Sequence, residues 1–337
     1  MMDLPEEGVG VAVAGSLTLR GLTITPPLAL APMVGLSHSA LRTLVMEEGG
    51  AGLLFTEMLA ARKLPQESDQ ASPYLIRGPE ERPLFYQLFL TEKEDIAPAV
   101  DRLHQLDAQG IDLNLGCPAP QLRRHGAGVF LTADPQRVRI LIQTLRAATE
   151  LPVSAKIRLG ESLDEGRLLA FCRMLEGEGV DLLTVHGRLD KEKFCRRPRW
   201  DWIGTVKGAV AIPVLANGGI FAVADARQCL RESGADGLML GRGAACRPWL
   251  CAEIAREVYG QHIAPTGRTL QQMYVRFTAL LEERFPVERR LGRLKQFSHY
   301  FAQNFQFGHL LATAVQNSPT MAEAKRRAEE FFLHAEQ

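Results

Sequence analysis

A (β/α)8 barrel followed by a small all-α unit is the fold class that this sequence predicts, on three observations. Eight short apolar runs recur over about 230 residues, most of them followed by an amphipathic stretch, and alternating β and α units imply a parallel sheet. No GxGxxG follows the first run, which disfavours an open doubly wound sheet. Beyond about Pro265 the strand signals vanish. A 3.6-residue spacing takes over through Leu270, Met273, Tyr274, Phe277 and Leu281, then Phe297, Phe301 and Phe305. We place the boundary at the linker His262-Ile263-Ala264-Pro265-Thr266-Gly267, giving a barrel domain over 1–262 and a helical domain over 263–337.

The elements follow in order. Residues 11–27 alternate around two glycines and predict a small hairpin ahead of the barrel. Residues 28–31 form the first buried strand, stopped by Pro32, and a helix runs from a Ser37 cap to Gly49-Gly50. Residues 52–58 are the second strand. The polar stretch 62–82, with three prolines, is a long connection, and such loops are usually functional or mobile. Residues 83–89 are the third strand. Thr91-x-x-Glu94 reads as a capping box for a helix to about Gln109. Residues 111–116 are the fourth strand, and Asp134-Pro135 opens a helix ending near Glu150. Strands at 153–159, 182–186, 213–216 and 238–240 complete the set. Ser162-x-x-Glu165 caps one intervening helix, and others lie around 222–232 and 248–259.

Composition narrows the class. The chain has 337 residues, 46% hydrophobic and 23% charged, as expected of a soluble globular protein. No apolar run reaches the roughly 18 residues of a membrane span. The acidic start Met1-Met2-Asp3-Leu4-Pro5-Glu6-Glu7 resembles neither a secretory signal nor a transit peptide. Six cysteines without a CxxC pair favour reduced thiols in a cytoplasmic setting. Thirty-nine basic residues balance thirty-nine acidic ones, so any polyanion must be met by local patches. Such patches lie at Lys191, Lys193, Arg196, Arg197 and Arg199, and in the tail at Arg284, Arg289, Arg290, Arg293 and Lys295. Each is equally readable as a solvated face. A monomer is expected, with no metal site, since no histidine pair is spaced as HxxxH and no cysteine pair sits near one.

In such barrels the chemistry lies at the carboxyl ends of the strands. The residues there are Met33, Glu57, Gln87, Asn114 with Cys117, Lys156 with Arg158, His186 with Arg188, Asn217 and Arg242. Taken singly each is unremarkable; His186 alone reads as a satisfied core histidine. Together, at corresponding ends of successive strands, they converge on one mouth. Asn217-Gly218-Gly219 and Gly241-Arg242-Gly243 follow the last two strands, where glycine turns expose bare N–H groups to phosphate oxygens and Arg242 adds a forked donor. The alternative is a pair of plain tight turns. A cation at Lys156 suits the charge of a reduced flavin, and Gln87 and Asn114 can read a ring's polar edge. One phosphate site then suggests FMN. Cys117 ends a strand in the turn Asn114-Leu115-Gly116-Cys117-Pro118. A thiol there is a candidate nucleophile or general acid, and at neutral pH it is mostly protonated. Cys172 and Cys229 read as inert core cysteines instead.

Ala29-Leu30-Ala31-Pro32-Met33, Asn114-Leu115-Gly116-Cys117-Pro118, Ser154-Ala155-Lys156-Ile157-Arg158, Val185-His186-Gly187-Arg188, Ala216-Asn217-Gly218-Gly219 and Gly241-Arg242-Gly243 stand in the order of the tRNA-dihydrouridine synthases. The sequence resembles that family over about residues 20–255, and its tail resembles the family's RNA-binding domain. The resemblance implies FMN, reduction by NADPH or NADH, and conversion of particular tRNA uridines to dihydrouridine. It implies Cys117 as the general acid toward C5, and Lys156 and His186 holding ring and substrate. Pro32, Met33 and Gln87 line the ring in this scheme, and Asn217, Gly218, Gly219, Gly241 and Arg242 surround the phosphate. Asn114 and Arg158 meet the uracil, with Arg290 and Lys295 on the RNA. One departure is clear: some members carry a lysine soon after Cys-Pro, where this chain has Ala119-Pro120-Gln121-Leu122-Arg123-Arg124.

Two other readings compete. An FMN barrel acting on a free pyrimidine, as dihydroorotate-type dehydrogenases do, needs neither the helical tail nor the arginine groups. An RNA-binding protein with secondary or lost catalysis does not explain Cys117, Lys156 and His186 together.

Overall fold

In the computed structural model, residues 14–69 and 72–335 are described. The acidic start, the first residues of the expected hairpin (11–13), two residues of the long connection (70–71) and the last two of the tail lie outside them.

Eight parallel strands close on themselves: β1 (Leu28–Leu30), β2 (Leu53–Phe55), β3 (Leu84–Phe89), β4 (Gly110–Leu115), β5 (Val153–Arg158), β6 (Leu182–His186), β7 (Val214–Asn217) and β8 (Gly237–Leu240). Closure is made by β8 against β1, with Leu238 opposite Leu28 and Leu240 opposite Leu30. A two-residue extension after β2, Leu59–Ala60, continues along β3.

Period-2 alternation sorts each strand into two environments. Outward residues such as Leu113, Leu115, Ile157 and Val185 join the layer under the helices. Inward apolar residues, among them Ala29, Leu53, Phe55, Phe85, Leu182, Leu215 and Met239, fill the barrel. Phe85 lies over Gly110, where a Cβ would collide with its ring, and meets Phe55 edge-on at 5.6 Å. The expected hairpin pairs Leu17–Leu19 with Leu22–Ile24, and its Leu17, Leu19 and Ile24 belong to the same interior cluster. The interior is therefore largely apolar in its lower layers, with Asp112 and Ser154 as buried polar exceptions. Most inward polar positions lie toward the carboxyl ends of β3 to β7.

Helices follow seven of the strands, at Ser39–Glu48, Ile96–Gln105, Pro135–Ala148, Glu165–Gly177, Trp200–Lys207, Val223–Ser233 and Arg242–Cys246 with Leu250–Glu257. Asp134 caps its helix as expected, accepting the Arg137 N–H at 3.0 Å. Three caps differ from expectation. His38, not Ser37, occupies the first cap, because Ser37 Oγ accepts from the Met33 N–H at 2.7 Å and so ties off the β1 turn instead. Thr91 bonds Asp95, and a 3-10 turn at Lys93–Asp95 precedes a helix that ends at Gln105, short of Gln109. Asp164 takes the role given to Ser162, accepting the Arg167 N–H at 2.9 Å.

Among its described residues the β2 connection carries the 3-10 turn Leu64–Gln66, and it is pinned by one buried pair. Arg42 Nε meets Glu81 at 2.5 Å, both side chains almost wholly buried, and the remaining Arg42 donors reach the carbonyls of Ser37 and Ile76. Glu81 also accepts from Ser39, Thr43 and the Gly78 N–H. A buried pair so fully hydrogen-bonded holds a long loop in one position.

The tail consists of helices Leu270–Arg284, Val287–Phe301, Gly308–Gln316 and Met321–Ala335. Phe297 and Phe301 are core residues, and Phe277 stacks on Phe297 at 3.7 Å. This core is continuous with the layer outside the barrel strands. Ion pairs from Arg268 and Arg276 to Glu47 on the first barrel helix, each 2.7 Å, add to that contact.

Candidate active site

At the carboxyl ends of the strands the barrel opens into a cavity of about 310 Å³. Pro32, Met33, Gln87, Asn114, Cys117, Lys156, Arg158, His186, Arg188, Asn217, Gly218, Gly219, Gly241 and Arg242 all line it. Of the strand-end residues singled out from the sequence Glu57 alone does not, its carboxylate instead accepting the Gly35 N–H at 2.5 Å. Arg290 and Lys295 do not line it either. Arg290 lies in the first turn of the second tail helix, and its guanidinium donates back to the carbonyls of Phe285 (2.7 Å) and Glu282 (3.0 Å) at the end of the first.

One wall is a chain of oriented amides. Asp112, fully buried on β4, accepts from Ser154 Oγ at 2.6 Å and from Gln87 Nε2 at 2.6 Å. Gln87 Oε1 is thereby left to accept from Asn114 Nδ2 at 2.9 Å. Asn114 Oδ1 in turn accepts the Cys117 N–H at 3.0 Å. Each amide's direction is set by its neighbour, starting from a group that can only accept when ionised. Burial pushes the Asp112 carboxyl up to about 6, against the lowering effect of Ser154, Gln87 and nearby Lys156. Gly116 completes the turn: a Cβ there would press on the backbone of β5, 3.1 Å from the Ile157 carbonyl carbon.

The opposite wall is cationic. Arg188 is buried, donating to the carbonyls of Arg196 (2.7 Å) and Phe194 (3.1 Å) and to His186 Nε2 (2.9 Å). Since a guanidinium only donates, His186 Nε2 is an acceptor and the ring is neutral with its proton on Nδ1. Burial, then Lys156 and the three arginines, holds its pKa well below the usual value. Burial, together with Arg242 and Arg158, brings Arg188 down to about 10. Lys156 projects inward between the walls, and burial with the Arg158 charge lowers it to about 8. Arg158 donates to Leu189 O at 2.8 Å, and Arg242 sits 4.5 Å from the Phe194 ring centre.

The glycine turns fit a phosphate. Gly218 and Gly219 have φ of +111° and +76°, which L side chains rarely adopt. A Cβ on Gly218 would stand 2.6 Å from the His186 ring, and one on Gly219 2.8 Å from Pro198. The Gly219 and Ile220 N–H groups bond to no described residue. Asn217 is different: its Nδ2 donates to Met239 O at 2.8 Å and ties β7 to β8 at the cavity floor. Crowded like charges beside free amide donors form a site that is incomplete without an anion. Among the described residues no group of three metal-ligating side chains competes for that role.

Sequence reasoning passed over several cavity residues, among them Met58, Phe194, Phe221, Gln296 and Tyr300. Gln296 and Tyr300 come from the tail, one helical turn apart, and Gln296 Nε2 donates to Val34 O at 3.0 Å. Their i, i+4 spacing was the available signal, but it was hidden beside the aromatic core stripe.

Fold and site together define a (β/α)8-barrel protein with a phosphate-receptive, cationic cavity facing a strand-end thiol. Residues 29–337 match the family model described as dihydrouridine synthase. The chain belongs to the dihydrouridine synthase family. It is 36% identical over 259 residues to "Probable tRNA-dihydrouridine synthase 1" of Synechocystis sp., covering 75% of this chain and 68% of that protein. It is also 36% identical over 248 residues to "tRNA-dihydrouridine synthase B" of Pseudomonas syringae pv. tomato, covering 74% and 72% respectively. Among solved structures, a 2-naphthoyl-CoA reductase matches with a TM-score of 0.56 at 10% identity, covering 79% of this chain and 55% of that one. A mandelate oxidase carrying a monooxide FMN adduct matches at 0.51 and 19% identity, covering 74% and 77%. These two likenesses concern the fold.

Proposed function

We propose that this chain is an FMN-dependent reductase of the C5–C6 double bond of uridines in tRNA, using a nicotinamide dinucleotide as electron source. The observation that carries the reading is the opposition in one cavity of the Cys117 turn and the cationic, glycine-lined wall. The free N–H groups of Gly219 and Ile220, with Arg188 and Arg242, would hold the phosphate of FMN, and Lys156 and His186 its ring. FMN bound there supplies the hydride taken by C6 of the uracil.

The chain's own residues do the rest. A uracil stacked in RNA cannot enter a barrel mouth, so it is turned out, at a cost of a few kcal/mol. Asn114 and Arg158 read its polar edge. Cys117 gives its S–H proton to C5 as hydride arrives at C6, leaving a thiolate that solvent reprotonates before the next turnover. The Asp112–Gln87–Asn114 chain fixes the backbone of Cys117, so the sulfur is held where that proton is needed. Neutral His186 can donate from Nδ1 without adding charge beside Lys156.

Purified protein should carry a flavin. When reduced without oxygen, that flavin should be reoxidised by unmodified tRNA transcript but not by free uridine. Reoxidation by uridine or orotate with tRNA inert would favour the free-pyrimidine reading, and absence of flavin would remove this one.

A further inference from the structure

A second cavity, of about 550 Å³, lies beside the first, between helices Pro135–Ala148 and Glu165–Gly177. There the outer faces of Leu115 and Ile157, normally covered by helices, form its floor, and Phe130 and Phe171 form apolar walls. Pro118 and Arg158 line both cavities, so these two residues stand between the two spaces at the Cys117 turn. Asp190 also lines the second cavity. Its side chain is buried (5% exposed), its Oδ1 has no hydrogen-bond partner, and its other oxygen takes none from the described residues. A buried acceptor without a donor is costly, and a ligand hydroxyl or amino group would satisfy it.

The rim is basic. Arg139 and Lys191 are paired, with Glu178 and Glu161, and Asp164 is occupied as a helix cap. Arg123 lies over the Phe130 ring at 5.5 Å, and neither it nor Arg167 forms an ion pair with any described residue. Flat apolar walls, one unsatisfied acceptor and two unpaired guanidiniums suit a nucleoside carrying phosphate.

Each turnover consumes two electrons that the protein's own side chains cannot renew, so an external donor is required. The donor must therefore reach the first cavity, and at about 310 Å³ that space cannot hold a whole dinucleotide beside a flavin ring. We propose that the second cavity seats the adenosine phosphate half of the nicotinamide dinucleotide, whose nicotinamide passes Pro118 and Arg158 into the first. This inference rests on the reductase reading above.

The test uses full-length flavin-loaded protein and NADPH. Arg123→Glu and Arg167→Glu alter exposed side chains outside the first cavity, so folding is not at risk, and Asp190→Ala removes the acceptor. In anaerobic rapid mixing, each variant should need roughly tenfold more NADPH for half-maximal flavin reduction, with the limiting rate unchanged. Adenosine 2′,5′-bisphosphate should compete with NADPH in the unaltered protein and lose that effect in Arg167→Glu. Variants reduced with dithionite should be reoxidised by tRNA as fast as the parent. Unchanged half-saturation in both arginine variants overturns the proposal, as does a selective loss of tRNA affinity, which would give the cavity to RNA. Unaltered protein whose flavin NADPH cannot reduce would overturn the reductase reading as well.

Discussion

Gln87 gives its amide N–H to Asp112 across 2.6 Å, and that one bond decides which way two amides face at the thiol turn. With Asp112 ionised, Gln87 must present its oxygen to Asn114, and Asn114 its oxygen to the Cys117 N–H. Burial pushes Asp112 up to about 6, so the orienting charge is lost as pH falls below that value. The folded state holds this proton more tightly than the unfolded one. The stability it contributes is therefore present in full below about pH 4 and is lost as pH rises through about 6. Activity should move the opposite way, with kcat/KM falling below pH 6. Asp112→Asn, a permanently neutral stand-in for the protonated carboxyl, should show the lowered kcat/KM at neutral pH as well and lose that acidic limb. Asp112→Ala should lower kcat roughly tenfold or more with flavin still bound. An unchanged acidic limb in Asp112→Asn would assign it to another group.

Cys117→Ala should leave flavin content, NADPH-driven flavin reduction and tRNA affinity intact while slowing uracil reduction by about 10² to 10⁴, the range for losing a positioned acid. Its expected signature is a reduced flavin that persists when tRNA is added. Full turnover in this variant would remove Cys117 from the proton path.

Lys156 is a half-buried cation that the charges of Asp112 and Cys117 favour, and desolvation with the Arg158 charge lowers it to about 8. The unfolded chain keeps this proton up to about 10.4, so cofactor-free protein should gain stability as pH rises from 8 toward 10. Lys156→Met removes the cost of the desolvated charge. It should melt higher than the parent at pH 7, by an amount on the order of 3 kcal/mol at most, with the gap closing at pH 10. The same change should weaken FMN. An anionic reduced flavin ring beside Lys156 raises its pKa again, so the parent should take up protons on binding reduced FMN at pH 8 and Lys156→Met should not. Calorimetry in two buffers of different ionisation enthalpy measures that uptake.

How far the sequence discloses this architecture depends on what kind of signal each part leaves. Strand positions are legible because inward and outward residues alternate, and on β3 to β7 polar inward residues gather toward the carboxyl end. Asn114, Lys156, His186 and Asn217 can be placed by counting twos. Helix starts are less legible, because Ser37, Thr91 and Ser162 each satisfy a cap pattern while their hydroxyls or neighbours serve other bonds. Tertiary demand overrides a local motif worth only about 1 kcal/mol. The same alternation turns Asp112 inward, but its role as the origin of the amide chain needs Gln87 from the adjacent strand. Gln296 and Tyr300 reach the cavity only because the tail packs on the first barrel helix, through contacts such as Arg276 with Glu47 that no local pattern announces.

Arg290 and Lys295 lie five residues apart on one tail helix and look equivalent in sequence, yet they should answer differently to mutation. Arg290 spends its guanidinium on the carbonyls of Glu282 and Phe285, capping the preceding helix, and is half-buried there. Replacing it with alanine should lower stability by about 1 kcal/mol, the worth of such bonds, and leave the salt dependence of tRNA binding nearly unchanged. Lys295 forms no hydrogen bond or ion pair with any described residue, so its ammonium is available to a phosphate. Lys295→Ala should keep the melting temperature and weaken tRNA binding, with the slope of log affinity against log salt smaller by about 1. Equal loss of slope in both variants would mean that Arg290 leaves its cap when RNA docks. No loss in either would move the RNA path off this helix, toward the basic loop at Lys191, Lys193 and Arg196.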